Sequence, residues 1–276
     1  MQDLIFKIKR KIIRYISKTY IFIKTPRLSL ILFQVRYIER YTGIDTFFLS
    51  PRRTIIYFIE RFILNHQDSI LLQDYGNYKL VKNKISNNAI VYSGGVGTNI
   101  TFDLAINKIH RAKVRLFDPT KNSIEYMKQF KARKNIYFYP YALYHKNKKV
   151  KLYYDSTNRV KSNSITNLFE FNKKNYYFAE ARNIIFFLKK FKDKKIDILK
   201  LDIEGVAEDL LIQTLKKKIY PKQIIFALEV PLNYFKFFKF QIKFFKLLKF
   251  LNKNYDLYNI RNRARGVEME ILAVKK

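Results

Sequence analysis

Residues 89–106 read AIVYSGGVGTNITFDLAI. An apolar run, Ala89 to Tyr92, gives way to Ser93, Gly94, Gly95, Val96, Gly97, Thr98 and Asn99, and a helical pattern follows. Glycine reaches positive φ without a Cβ clash, so a Gly-rich turn lets the backbone approach a ligand closely. The helix behind the turn presents N–H groups with no intrahelical partner, and Thr98 or Asn99 is a natural cap. In an open α/β sheet, ligands bind beyond the carboxyl ends of the strands. The turn is therefore the first part of an expected cofactor site.

Outward from it, short apolar runs alternate with helical stretches. The runs are KVRLFDP (113–119), NIYFYPYAL (135–143), KIDILKLD (195–202) and QIIFALEV (223–230). That alternation predicts a mostly parallel sheet with helices on both faces. YDLYNI (255–260) and VEMEILAVK (267–275), separated by the polar RNRARG, predict a closing hairpin with one antiparallel strand. Segment 145–183, rich in Lys, Asn, Ser and Tyr, reads as an insertion or long loop beside the site, with one strand-like piece, KKVKLYYD (148–155).

Two acids end strands that share the crevice with the turn. Asp118 closes the second strand about 20 residues beyond the glycines, the interval at which an acid accepts ribose hydroxyls. SGGVGT lacks the G-x-G-x-x-G spacing that cradles a pyrophosphate. S-adenosylmethionine carries the same ribose and no phosphate, so the turn suits it better than NAD. Asp202 ends the fourth strand, with Glu204 and the sharp exit Gly205 behind it. Methyl transfer to a hydroxyl needs a base or a metal. Asp202, Glu204 and His145 are the catalytic candidates, and no metal ligand set is assigned. The plainer readings are a helix cap for the acids and a solvated loop residue for the histidine.

VYSGGVGTNITFDLAI, then VRLFDPT, then DILKLDIEG, in this order and spacing, resembles the FkbM family of S-adenosylmethionine-dependent methyltransferases over roughly 89–276. The resemblance implies a doubly wound, mostly parallel, seven-stranded Rossmann-like methyltransferase sheet with an antiparallel last strand. It also implies methyl transfer, most often to a hydroxyl. The implied cofactor-binding set is Ser93, Gly94, Gly95, Gly97, Thr98, Asn99, Asp118, Pro119 and Ala142. Within it, Gly94, Gly95 and Gly97 hold the methionine end and Asp118 the ribose. Many methyltransferases carry an acid at the position of Val91 and a glycine at that of Ser93; this chain has neither, in common with a YS-x-G-x-G branch.

Composition narrows the remainder. The 276 residues hold no Cys, which excludes disulfides, thiolate metal sites and a thiol nucleophile. The formal charge of +33 favours anionic partners, although a Lys- and Asn-rich composition also follows from A/T-rich coding. Residues 1–88 read as a basic, mostly helical extension. Ile5, Ile8, Ile12 and Ile16 recur at helical spacing among lysines and arginines, and a second run spans Thr54 to Leu64. No stretch is long and apolar enough to cross a bilayer, so a cytoplasmic chain, peripheral to membrane at most, is expected. NYFKFFKFQIKFFKLLKFL (233–251) predicts a helix that covers the sheet with a lysine stripe, or one that lies on anionic membrane. The expected acceptor is a hydroxyl of a small molecule, sugar or lipid-linked glycan. Nucleic-acid methylation is the alternative, and DIEG after the fourth strand argues against base amino methylation. A non-catalytic binding module on the same scaffold is a third reading.

Overall fold

The computed structural model describes residues 55–56, 59–60, 63–65, 70–130, 133–157, 163–167, 171–231, 234–263 and 268–276. The basic helices expected over residues 1–54 lie outside these. Two compact units divide the chain, Met1–Phe58 and Ile59–Lys276. Of the first, Ile55 and Ile56 are described; both are helical and buried. The unit that carries the sheet begins at Ile59, so the boundary expected at 88/89 falls inside it.

Among the described residues of that unit, Ile59 and Glu60 are helical, and its first strands form a hairpin. β1 (Leu72–Tyr75) and β2 (Tyr78–Val81) turn tightly at Gly76, which adopts φ +61°. The order of the next elements is β3 (Ile90–Gly94), α1 (Thr101–His110), β4 (Lys113–Phe117), α2 (Lys121–Met127) and β5 (Ile136–Tyr139). Then come β6 (Ala142–Leu143), β7 (Lys148–Tyr153), β8 (Tyr176–Arg182), α3 (Ile184–Phe191), β9 (Ile198–Leu201) and α4 (Ala207–Lys216). The chain closes with β10 (Gln223–Glu229), α5 (Tyr234–Asn254), β11 (Tyr255–Arg263) and β12 (Glu268–Lys275).

Seven strands form the main sheet in the order β11-β12-β10-β9-β3-β4-β5. β3, β4, β5, β9 and β10 run parallel, and β12 runs antiparallel to both its neighbours. The apolar runs are buried on both faces: Val91, Val114, Leu116, Leu199, Ile224 and Phe226 are all fully enclosed. The order reverses between β3 and β9, which is the switch point where a doubly wound sheet opens a crevice.

Segment 145–183 is more regular than its composition implies. β7 pairs antiparallel with β8, and β8 pairs parallel with the short β6. Val150, Leu152, Ala179 and Ala181 form a small core of their own beneath this second sheet. The strand-like piece at 148–155 is present; YYFAEAR at 176–182 is a strand that the reading of a long loop missed. The third strand breaks at Pro140, which divides the expected 135–143 run into β5 and β6.

The hairpin is anchored to the main sheet. The amide of Gln223 accepts from Val81 N–H at 2.9 Å and donates to the Val81 carbonyl at 3.0 Å. Tyr75 Oη lies 2.7 Å from His110 Nε2 at the end of α1. His110 is thus a structural residue, 5% exposed, whose burial lowers its pKa.

Candidate active site

The Gly-rich turn leaves β3 between the tips of β4 and β9. Gly95 N–H donates to the Phe117 carbonyl at 3.0 Å, and Asp202 N–H donates to the Gly94 carbonyl at 3.0 Å. Gly95 has φ +78°, and a Cβ there would lie 1.8 Å from the Asp202 carbonyl oxygen. Only glycine allows β3 and β9 to approach so closely. Gly97 also has a left-handed φ, +56°, yet a Cβ there would meet nothing within 4 Å. Space is therefore open above Gly97. Over Gly94 it is closed, with Leu143 Cδ1 at 2.9 Å and Ile203 Cγ2 at 3.3 Å from the Cβ position.

Asp118 organises this turn. Its Oδ2 accepts from the N–H groups of Val96 and Gly97, both at 2.9 Å, and its Oδ1 accepts from Thr120 N–H at 2.8 Å. A carboxylate offers about four acceptor sites, so three are taken by backbone and about one remains. In this arrangement the carboxylate holds the loop in shape. Asp118→Asn should therefore weaken the loop whichever way the amide turns, because an NH2 group must then face an N–H donor. The expected cost is about 2–4 kcal/mol, measurable by urea unfolding. A loss under about 0.5 kcal/mol would mean that the loop keeps its shape without this acid.

Beneath the turn lies a buried polar cluster. Lys200, on β9 and 3% exposed, donates from Nζ to the Gly95 carbonyl at 2.9 Å and sits 5.1 Å from the centre of the Tyr78 ring. Asp103, in the first turn of α1, is 1% exposed, and burial pushes its carboxyl up to about 6, with Lys200 and Ser93 opposing. Ser93 is fully buried beside Asp103. Its side chain belongs to the floor of the site.

The β9 tip carries the acids. Tyr78 Oη donates to Asp202 Oδ2 at 2.7 Å, so the hairpin positions this carboxylate. Glu204 is half-buried, and its Oε2 is enclosed without a hydrogen-bond partner. Glu229, at the end of β10, accepts from Gly205 N–H at 3.1 Å. One carboxylate oxygen from each of Asp202, Glu204 and Glu229 lies within 4.8 Å of the others. Three hard oxygen donors so arranged match what a divalent cation takes; the sequence reading named the first two and missed Glu229.

The remaining expected residues are scattered around these tips. Thr98 and Asn99 are exposed at the mouth, and Asn99 Oδ1 accepts from Thr101 N–H at 2.9 Å as the α1 helix begins. Pro119 and Tyr141 line an open cavity of about 380 Å³ beside Asp118, with Lys121, Pro140, Tyr177 and Phe178 on its walls. Ala142 is buried at the start of β6, directly after Tyr141. His145 is not gathered with the acids of the β9 tip. Its ring lies tilted by 45° against that of Tyr144, centroids 4.1 Å apart, and Asp209, Lys146, Lys243 and Lys148 are its charged neighbours. Burial holds its pKa below the ordinary imidazole value.

Behind the β9 tip, burial pushes Glu208 up to about 7. The folded chain therefore holds a proton between pH 4.5 and about 7 that the unfolded chain has lost. Stability falls as pH rises through that window and is level above it. Glu208→Gln should remove this slope and exceed the parent by on the order of 3 kcal/mol near pH 8. Urea unfolding at about pH 5 and about pH 8 reads the difference; parallel changes in both proteins would place the titration elsewhere.

The sheet order, the glycine turn at the switch point and the acids on flanking tips define a Rossmann-like methyltransferase domain. The family described as the methyltransferase FkbM domain matches residues 92–257, and the chain belongs to it. S-adenosylmethionine is accordingly its methyl donor. The open space above Gly97 and the cavity beyond Asp118 leave room for such a molecule at the two tips. No curated protein matches the chain significantly. Among solved structures, Aeropyrum pernix fibrillarin with natively bound S-adenosyl-L-methionine is 10% identical, with 69% of this chain and 68% of that chain covered at a TM-score of 0.38. Precorrin-6y C5,15-methyltransferase from Geobacter metallireducens is 11% identical, with 70% and 83% covered at 0.36. M. jannaschii TYW2 in complex with AdoMet is 12% identical, with 74% and 83% covered at 0.35.

Proposed function

We propose that the chain transfers a methyl group from S-adenosylmethionine to a hydroxyl of a small molecule, sugar or lipid-linked glycan. The observation that supports this most is the pair of carboxylates, Asp202 and Glu204, at the strand tip next to the glycine turn. The donor supplies an electrophilic methyl on a sulfonium, and its departure needs no acid. The protein's part is to align the acceptor oxygen with that methyl, to exclude water and to remove the hydroxyl proton.

In this reading Asp202 takes the proton, with Tyr78 fixing its orientation through the 2.7 Å hydrogen bond. Glu204 lies beside it. The donor lies over Gly97, Asp118 and Pro119, with Thr98 and Asn99 at the mouth. His145 belongs to the wall formed by α4 and α5, next to Asp209, and is assigned no proton transfer.

Asp202→Asn tests the assignment. Donor binding by calorimetry should change less than about threefold, while transfer of labelled methyl groups to lipid and glycan extracts should fall about 100-fold or more. Transfer and binding both equal to the parent would remove Asp202 from the site. Label that enters RNA instead of lipid or glycan would overturn the acceptor class and leave the donor assignment standing.

A further inference from the structure

The helix α5 buries one side and exposes much of the other. Phe240, Phe244, Leu247, Leu248 and Leu251 are within 6% of full burial and form its inner side. Opposite them, Phe238 is 39% exposed and Ile242 is 59% exposed, and Lys239, Lys246 and Lys249 are exposed on the same side. Helical spacing places these five side chains in one stripe. The 21 residues contain no acid at all.

Single exposed apolar side chains are ordinary on a solvated face, but here two large ones stand four residues apart in the same stripe. A face turned to another protein would be depleted of lysine. Apolar side chains interleaved with lysines, with no negative charge to repel phosphate, are the composition of a helix lying in an anionic lipid interface. The flank of the helix is already fixed: Lys236 donates to the Asn167 carbonyl at 2.8 Å, and Lys243 pairs with Asp209 at 2.5 Å. The helix is thus held by its own domain with the stripe outward.

Position matters as much as composition. α5 begins just after β10 ends at Glu229, at the same edge of the sheet as Asp202 and Glu204. Its two exposed apolar residues fall in the half nearest that edge, and the lysines continue beyond them. We propose that the outward stripe of α5 docks the protein on an anionic lipid bilayer and so brings the site to a membrane-borne acceptor. This rests on the reading of the chain as a methyltransferase for a lipid-linked hydroxyl and narrows it.

The chain has no tryptophan, so a single introduced indole reports on one place alone. The experiment uses the full chain with Ile242→Trp and vesicles of phosphatidylglycerol in phosphatidylcholine, with phosphatidylcholine alone as the neutral arm. Ile242 is well exposed, so the substitution leaves the core intact, and a matching melting curve verifies it. Anionic vesicles should shift the indole emission to the blue, and brominated lipid should quench it. Neutral vesicles should do neither. Adding Lys246→Glu and Lys249→Glu should weaken partitioning about tenfold or more. The same charge reversal at Lys149 and Lys151, exposed on β7, should change it less than about twofold.

Indole emission that does not move while the protein sediments with vesicles would overturn the proposal, since another surface then makes the contact. Failure to sediment with either vesicle would overturn it too, as would RNA binding in place of vesicle binding. Calorimetry with S-adenosylmethionine in the same preparations separates the two readings. Donor binding without vesicle binding ends only the membrane proposal; absence of donor binding ends the enzyme reading on its own.

Discussion

Gly95→Ala is expected to be the most damaging single methyl that can be added to this chain. The new Cβ would lie 1.8 Å from the Asp202 carbonyl oxygen, which is backbone and cannot rotate away. Relief requires the β3 and β9 tips to part, and that breaks the hydrogen bond from Asp202 N–H to the Gly94 carbonyl, now 3.0 Å. The residue would also keep a φ near +78°, where an L side chain is strained. Clash, strain and a lost buried hydrogen bond together predict a loss of more than about 4 kcal/mol. Donor binding should disappear with it. Gly97→Ala is the matched control. It has a similar φ, +56°, but no atom within 4 Å of the new Cβ, so only the strain of about 1–2 kcal/mol remains. Urea unfolding of both variants decides the matter. Equal losses would mean that the close approach of the two tips is not part of the native state.

The contrast between these glycines also shows where sequence reading stops. The alternation of apolar runs made the sheet legible, because strands buried on both faces must be continuously apolar. The glycine turn and the acids at 118 and 202 were legible because each stands where an apolar run ends. What the turn does with Asp118 was not. An acid on one tip whose carboxylate caps the amides of its neighbour looks, in one dimension, the same as an acid waiting for a ribose. The β1–β2 hairpin was invisible for a related reason. Tyr78 reaches Asp202 across 124 positions, and nothing local to either residue encodes that contact. β8 went unread because its aromatics sit in a polar stretch whose other half is loop. One signal was present and unused: a single lysine inside the apolar run DILKLD. A charge there must be buried by the strand itself, and Lys200 proves to be the buried cation under the turn.

Lys200→Met should therefore act on stability and on donor binding together. The substitution keeps the length and removes the ammonium, so the Gly95 carbonyl loses a donor at 2.9 Å. A hydrogen bond to a charged group contributes about 1.5–3 kcal/mol. Expressed through the loop, that is about tenfold or more in affinity for S-adenosylmethionine. The larger effect lies at Asp103. Its carboxyl is 1% exposed, and Lys200 is the foremost group opposing the rise that burial imposes on its pKa. Removing one partner of such a buried pair costs about 3–5 kcal/mol, because the other charge is left uncompensated. Asp103 would escape by holding its proton. In the parent, burial raises this carboxyl from 3.8 to about 6, so stability declines as pH rises between those values and then levels. Without Lys200 the decline should continue to higher pH, and the variant should be relatively best preserved in acid. Asp103→Leu in the same chain removes the orphaned charge, and the double variant should recover about 2–3 kcal/mol at neutral pH over Lys200→Met alone. Donor affinity should stay low in the double variant, because the Gly95 carbonyl still lacks its partner. Recovery of both properties would assign the whole effect to Asp103 and leave Lys200 no part in shaping the turn. Recovery of neither would mean that the two charges do not sense one another.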